Sequence, residues 1–150
     1  MTRLEDEIQQ RTFRSNRQRL LVNILFTSNW LNAIQSRMLK EHGISPQQYN
    51  ILRILRGQHP DPATINLLRE RMLDKMSNAS RLVEKLRQKG LVERRVCKSD
   101  RRAVDVLITD AGLHLLDQLT PMEREWEALL AHLDEGEAST LNVLLDKMRG

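Results

Sequence analysis

The sequence predicts a mainly α fold with one small β-hairpin, and three observations support this. Apolar residues recur at helical spacing along most of the 150-residue chain. Aromatic residues make up only 3% of the sequence, so the core must come mainly from leucine, isoleucine, valine and methionine, which suit packed helices. After Gly90 the pattern changes to two short runs typical of strands. The predicted order is four helices, two strands and two further helices.

The first helix is predicted over about residues 12–40. Its apolar positions at helical spacing are Leu20, Leu21, Ile24, Leu25, Leu31, Ile34 and Met38. A helix of this length is more typical of an interface or a scaffold than of a small core. Gly43 is expected to end it.

The second helix has a clear N-terminal signal. Ser45 is placed to cap it, Pro46 suits its first turn, and Gln48 completes a capping box three residues after the serine. Gly57 and the His-Pro-Asp-Pro stretch at 59–62 are expected to break the chain into a loop. The predicted buried side of this helix is Tyr49, Leu52, Ile54 and Leu55.

Two more helices and a hairpin should follow. A third helix, over about 62–73, is expected to bury Ile65, Leu68 and Met72. A fourth, over about 77–89, is predicted to begin at Ser77 as its cap and to bury Leu82, Val83 and Leu86. Gly90 is expected to end it in a left-handed conformation. Strands are predicted at 91–96 and 103–108, joined by the polar, basic tip 97–102.

The C-terminal part of the chain is predicted to be helical again. Thr109 and Asp110 begin a fifth helix, which Pro121 should kink or interrupt because proline lacks an N–H. Asp134 and Glu137 form a second capping box at the start of a sixth helix. That helix is expected to bury Leu141, Leu144, Leu145 and Met148.

Charge is unevenly distributed along the sequence. The net charge is +4, but residues 75–102 carry ten basic and three acidic residues, a local charge of +7, whereas residues 109–150 carry −6. A basic middle beside an acidic tail indicates that one surface contacts a polyanion.

Cys97 is the only cysteine, which excludes an intrachain disulfide, and no apolar run is long enough for a membrane span. The charged first residues do not resemble a signal peptide, so we expect a cytoplasmic protein with no membrane partner.

The sequence gives no sign of catalysis. It contains no nucleophile elbow, phosphate loop, zinc-protease motif or dinucleotide fingerprint, so no catalytic residue, no cofactor and no enzymatic activity are expected. The four histidines have no ligand spacing and no cysteine companions, so no metal site is expected. These histidines are His42, His59, His114 and His132.

Helices two to four and the strand pair have the layout of a helix-turn-helix with a β-hairpin wing. The small polar residues at 77–81 suit a helix whose N-terminus approaches base edges in the major groove. Arg101 and Arg102 at the hairpin tip are suited to a minor groove. Asp100 either orients one of these arginines through a salt bridge or favours the bend. The predicted DNA-binding residues are Ser77, Asn78, Ser80, Arg81, Lys85, Arg94, Arg95, Lys98, Asp100, Arg101 and Arg102.

Residues 44–119 resemble the MarR family of bacterial transcriptional regulators. The resemblance is carried by Ser77-Asn-Ala-Ser-Arg-Leu-Val-Glu-Lys-Leu-Arg-Gln-Lys-Gly-Leu-Val-Glu-Arg and by Ser99-Asp-Arg-Arg-Ala-Val-Asp-Val-Leu-Ile-Thr-Asp-Ala-Gly. It implies one domain over 1–150, with a winged helix-turn-helix part at about 44–108 and dimerisation helices at about 12–40 and 109–150. It also implies that Arg102 enters the minor groove, that Asp100 braces the wing, and that a homodimer binds a pseudo-palindromic operator in double-stranded DNA, as a repressor.

The resemblance leaves open an effector site, the role of Cys97 and an alternative function. Family members commonly respond to small phenolic or anionic effectors, and Trp30 and Tyr49 are candidates to line such a site, although core packing also explains them. Cys97 lies in the wing and not near the first helix, where some members sense oxidants, which favours a plain strand residue. The alternative function is a winged-helix module that binds another protein.

Overall fold

A computed structural model describes residues 2–150 and confirms the mainly helical prediction with a small antiparallel sheet. In this part of the chain the elements are α1 (Leu4–Glu7), α2 (Asn16–Lys40), α3 (Pro46–Gln58), β1 (Ala63–Thr64), α4 (Ile65–Arg71), α5 (Ala79–Gln88), β2 (Val92–Val96), β3 (Val104–Ile108), α6 (Asp110–Gln118), α7 (Thr120–Ala128) and α8 (Glu135–Arg149). The chain divides into two compact units, one ending at Tyr49 and the other comprising Asn50–Gly150.

The first unit contains the long helix α2, as predicted, and the short helix α1, which the sequence did not reveal. Ser15 caps α2 by accepting a hydrogen bond from the Gln18 N–H. At its end Gly43 adopts φ +72°, and the Ile44 N–H donates to the Leu39 carbonyl at 3.4 Å. Gly43 therefore ends the helix, as predicted, and does so in a left-handed conformation.

Helix α2 keeps much of its apolar face in solvent. Leu39 is fully buried, whereas Leu25 is 64% exposed. The predicted row of apolar side chains on α2 is therefore present, but these side chains are not fully buried within a single chain. The exposed large hydrophobic side chains of this helix are Leu20, Leu21, Leu25 and Trp30.

Helix α3 begins at the predicted capping box. The Gln48 N–H donates to Ser45 Oγ at 3.1 Å, and the Ser45 N–H donates to Gln48 Oε1 at 2.9 Å. The prediction that Gly57 breaks the helix is wrong, because α3 continues through it to Gln58. A single glycine costs a helix only about 0.5–1 kcal/mol. The buried side chains of α3 include Ile51, Leu52, Ile54 and Leu55, while Tyr49 is half-buried.

The sheet has one strand more than predicted, in the order β1-β3-β2 among residues 2–150. β1 pairs with β3 through Ala63 and Val106, and β2 pairs with β3 through Val92 and Ile108. The predicted third helix is correspondingly shorter. It starts at Ile65, and Thr64 caps it by accepting from the Leu67 N–H.

The C-terminal helices begin and end near the residues predicted to start or interrupt them. α6 ends at Gln118 and α7 begins at Thr120, so Pro121 lies in the first turn of a new helix, where its missing N–H is tolerated. Asp134 and Glu137 form the predicted capping box of α8. The prediction that α8 buries its leucines is wrong for the single chain, since Leu144 is 55% exposed. Leu133, Leu141 and Leu144 line an open apolar groove along this helix.

Candidate nucleic-acid interface

Helix α5 presents a polar face at the surface and an apolar face to the core. Ala79, Val83 and Leu86 are buried. On the other face, Ser80, Arg81 and Lys85 are exposed. The spacing of the buried residues by three and four positions explains the division, because these positions share one side of a helix.

The N-terminus of α5 differs from the prediction in one respect. Asn78 caps the helix, its Oδ1 accepting from the Arg81 N–H at 3.0 Å, so the prediction of Ser77 as cap is wrong. Ser77 Oγ is buried, with no hydrogen-bond partner among residues 2–150. The Asn78 carbonyl oxygen is occupied by capping, which leaves the amide nitrogen of that side chain for a ligand.

A Schellman ending joins α5 to the wing, as predicted. Gly90 has φ +72°, and the Leu91 N–H donates to the Leu86 carbonyl at 3.0 Å. The Thr109 hydroxyl donates to the Gly90 carbonyl at 2.7 Å and accepts from the Gly112 N–H at 3.1 Å. One threonine therefore links the end of α5, the start of β2 and the first turn of α6.

Close packing reinforces this junction at Gly112. A Cβ added there would lie 2.4 Å from the Leu91 carbonyl oxygen and 2.6 Å from Ile108 Cγ1. Only glycine permits this approach. The link through Thr109 and the need for glycine at 112 were missed in the sequence, which gives a local signal only for the threonine cap.

The wing is a hairpin of β2 and β3 with a tight tip. Arg95 lies opposite Asp105 in the register, and the tip runs from Cys97 to Arg102. Asp100 Oδ1 accepts from the Arg102 N–H at 2.9 Å, and the Asp100 carbonyl accepts from the Ala103 N–H at 3.0 Å. Asp100 thus shapes the turn.

The expectation that Asp100 forms a salt bridge with an arginine is wrong within the described residues. No carboxylate lies within ion-pair distance of Arg101 or Arg102 there. The Asp100 side chain instead forms an Asx-type turn, in which its Oδ1 accepts from the Arg102 N–H and the carboxylate is directed at the backbone. Both arginines are exposed at the tip.

The basic side chains of this region fall into two groups. Arg94 and Arg87 both bind Glu84, at 2.8 Å and 2.7 Å, and Arg95 binds Glu93 at 2.8 Å. The hydrogen bonds from Arg87 and then Arg94 lower the pKa of Glu84 to about 2. On α5 and the wing, the exposed cations for which no ion pair is found within residues 2–150 are Arg81, Lys85, Lys98, Arg101 and Arg102.

Cys97 follows the last residue of β2 and is half-buried. Its Sγ lies 3.1 Å from Ser99 Oγ. The hydrogen bond from Ser99 lowers the pKa of the Cys97 thiol below its ordinary value. The residue is thus part of the turn that leads into the wing tip.

The two predicted effector residues lie on different helices of the first unit. Trp30 is an exposed residue of α2, and Tyr49 is a half-buried residue in the first turn of α3. Tyr49 has an interaction partner of its own.

Across residues 2–150, no group of three or more histidine, cysteine, aspartate or glutamate residues is arranged to hold a metal ion. The helices described include none with the length and hydropathy needed to cross a membrane.

Comparison with known proteins agrees with this architecture. The family model described as the MarR family matches residues 42–103. The MarR transcription factor from Planctomyces limnophilus is 33% identical, with a TM-score of 0.69 over 92% of this chain and 98% of that chain. MepR of S. aureus, in its complex with DNA, is 25% identical, with a TM-score of 0.76 over 83% of this chain and 92% of that chain.

A curated relative adds a function to the comparison. The transcriptional repressor MprA of Escherichia coli (strain K12) is 28% identical over 122 residues, which are 76% of this chain and 69% of that protein. The fold, with its wing and flanking N- and C-terminal helices, is the winged helix-turn-helix of these regulators. The chain belongs to the MarR family of DNA-binding transcriptional regulators, and not to a class of enzymes.

Proposed function

We propose that this protein is a homodimeric repressor that binds a pseudo-palindromic DNA operator through α5 and the wing of each protomer. The observation that carries the proposal is the set of exposed cations without a carboxylate partner on these two elements. Glutamates pair with three arginines of α5 and the wing, and five further cations of these elements are available to bind a polyanion. The similarity to MprA, a named repressor, supports the direction of regulation.

Each element suits a different part of the duplex. Ser80 and Arg81, on the exposed face of the first turn of α5, are placed to read bases in the major groove, with Asn78 beside them. Lys85, one turn further along, suits a phosphate. Arg101 and Arg102 at the wing tip suit the narrow, electronegative minor groove, and Asp100 sets the turn that displays them.

The remaining predicted DNA contacts are proposed in lesser roles. Lys98 lies at the base of the tip and suits a phosphate. Arg94 and Arg95 would first have to leave Glu84 and Glu93, so Arg94 acts mainly in joining the wing to α5, while Arg95 is paired within β2. The Ser77 hydroxyl is buried and its N–H donates to the Asp74 carbonyl, so Ser77 supports the turn before α5 and does not contact DNA directly.

Exposed leucines support the homodimer. Both α2 and α8 expose leucines, and an apolar surface of this kind is costly for a monomer in water. A two-fold dimer would place its two recognition helices about 34 Å apart, one turn of B-DNA, which requires a pseudo-palindromic operator. Effector binding at Trp30 and Tyr49 stays a prediction that rests on the family resemblance.

The test begins with selection of an operator from random duplexes by the parent protein. Arg102→Ala should then weaken binding to that duplex by about 1–3 kcal/mol at fixed salt. Arg124→Ala is the matched control, because Arg124 is also an exposed arginine but lies on α7, outside the proposed interface. Equal affinities of the parent and Arg102→Ala proteins would refute the proposed wing contact.

A further inference from the structure

The turn between α4 and α5 displays two apolar side chains that the DNA-binding proposal does not use. Met76 is 93% exposed and Leu73 is 88% exposed, the highest values for large hydrophobic side chains among residues 2–150. Single exposed hydrophobic residues are ordinary on protein surfaces, so exposure alone decides nothing. The construction of the turn and its position are more informative.

Hydrogen bonds from three backbone N–H groups fix the turn. The Leu73 N–H donates to Asn50 Oδ1 of α3 at 2.9 Å. The Met76 N–H donates to Asp74 Oδ1 at 2.9 Å, and the Ser77 N–H donates to the Asp74 carbonyl at 3.2 Å. Met76 therefore projects from an ordered backbone.

The polar side chains of the same turn bind its own chain. The Asp74 carboxylate is engaged by the Met76 N–H, and Lys75 Nζ donates to the carbonyl of Glu70. Asp74 and Lys75 are exposed as well, but each already has a hydrogen-bond partner in its own chain. The side chains of Leu73 and Met76 have no polar group to engage and leave a large apolar surface in solvent.

The turn lies directly before the N-terminus of α5. Met76 lies two residues before Asn78, the cap of α5, at the end of the helix that reads the major groove under the proposed function. The apolar group that DNA presents in the major groove is the C5-methyl of thymine. We propose that Met76 contacts a thymine methyl in each operator half-site and so determines specificity there. The unbranched thioether adapts readily to such a contact.

This inference rests on the proposed function, and the experiment separates the two. The probe is the duplex that the parent protein selects from a random library, with each thymine replaced in turn by deoxyuridine, which lacks only the C5-methyl. Removing one buried methyl should weaken binding of the parent about fourfold at one thymine per half-site. Met76→Ala should bind the unmodified duplex more weakly by about the same factor and show no further loss at that thymine.

Leu73→Ala is the matched control, since Leu73 is similarly exposed but lies at the far end of the turn. It should keep both the parent affinity and the parent response to deoxyuridine. Equal deoxyuridine responses in the parent and Met76→Ala proteins, loss of the response in Leu73→Ala instead, or no sensitive thymine would each overturn the inference while leaving operator binding intact. If the parent selects no duplex, the proposed function fails, and this inference fails with it.

Discussion

Arg94 Nη1 lies 2.8 Å from Glu84 Oε2, so an ion pair joins α5, the proposed recognition helix, directly to strand β2 of the wing. Glu84 holds Arg87 as well, at 2.7 Å. The side chains are partly exposed, so the pair contributes little to global stability. Its consequence is local: the two elements proposed to contact DNA are tied to each other through one carboxylate.

Replacing that carboxylate should change how the protein binds DNA. In Glu84→Gln, Arg87 and Arg94 become available for phosphates, so binding to non-specific duplex should strengthen. The log–log dependence on salt should steepen by about one unit for each new phosphate contact. Glu93→Gln is the control, because it releases only Arg95. A salt dependence in Glu84→Gln equal to that of the parent would show that neither arginine reaches the DNA.

The same link should respond to acid in a defined window. Hydrogen bonds from Arg87 and Arg94 lower the pKa of Glu84 from 4.5 to about 2 in the folded protein. A lowered folded-state pKa means that the stabilisation is fully present above pH 4.5 and is lost as the pH falls through about 2. Carboxyl NMR titration should find this value, and Arg87→Ala should raise the pKa of Glu84 towards 4.5. An unchanged titration in that variant would contradict the assignment.

Gly112 should not tolerate a side chain. Gly112→Ala would place a Cβ against the Leu91 carbonyl and Ile108, so the free energy of unfolding should fall by about 1–3 kcal/mol in urea denaturation. Gly57→Ala is the matched control, since a Cβ there meets nothing within 4 Å and Gly57 lies inside α3. That variant should be unchanged or more stable by up to about 1 kcal/mol. Equal stabilities of the two variants would mean that the junction at Thr109 can relax.

The exposed leucines give a test of the homodimer. Leu25→Glu and Leu144→Glu each place a charge on an exposed apolar face, where an unpaired charge would have to be buried in the dimer. Both should produce monomers or aggregates in light scattering. Leu73→Glu, at an exposed leucine outside those helices, should keep the parent mass. An unchanged mass in the first two variants would place the interface elsewhere.

The parts of the fold that the sequence predicts are those with local signals. The capping pairs Ser45–Gln48 and Asp134–Glu137, and the left-handed Gly90, depend on residues within a few positions of each other. The hairpin was predicted for the same reason, because each strand has its own run of β-formers. In these cases the neighbouring residues alone were sufficient to predict the structure.

The parts that it does not predict depend on distant or competing partners. β1 is two residues long and exists through its pairing with β3, about forty residues later, so no local pattern reveals it. Ser77 and Asn78 are both good caps, and the sequence does not decide between them. The ion pair of Glu84 with Arg94 crosses from helix to strand. At Asp100, the backbone of the turn competed successfully for the carboxylate.

Whether α5 and the wing bind DNA is tested by the salt dependence of binding with and without the exposed cations of these two elements. The parent should bind its selected duplex with a steep fall of log affinity against log salt, about 0.9 for each phosphate neutralised. Replacing Arg81, Lys85, Arg101 and Arg102 by alanine should flatten that slope and abolish selectivity, with an unchanged circular dichroism spectrum. A slope and an affinity equal to those of the parent would contradict the account, because DNA would then be bound by another surface.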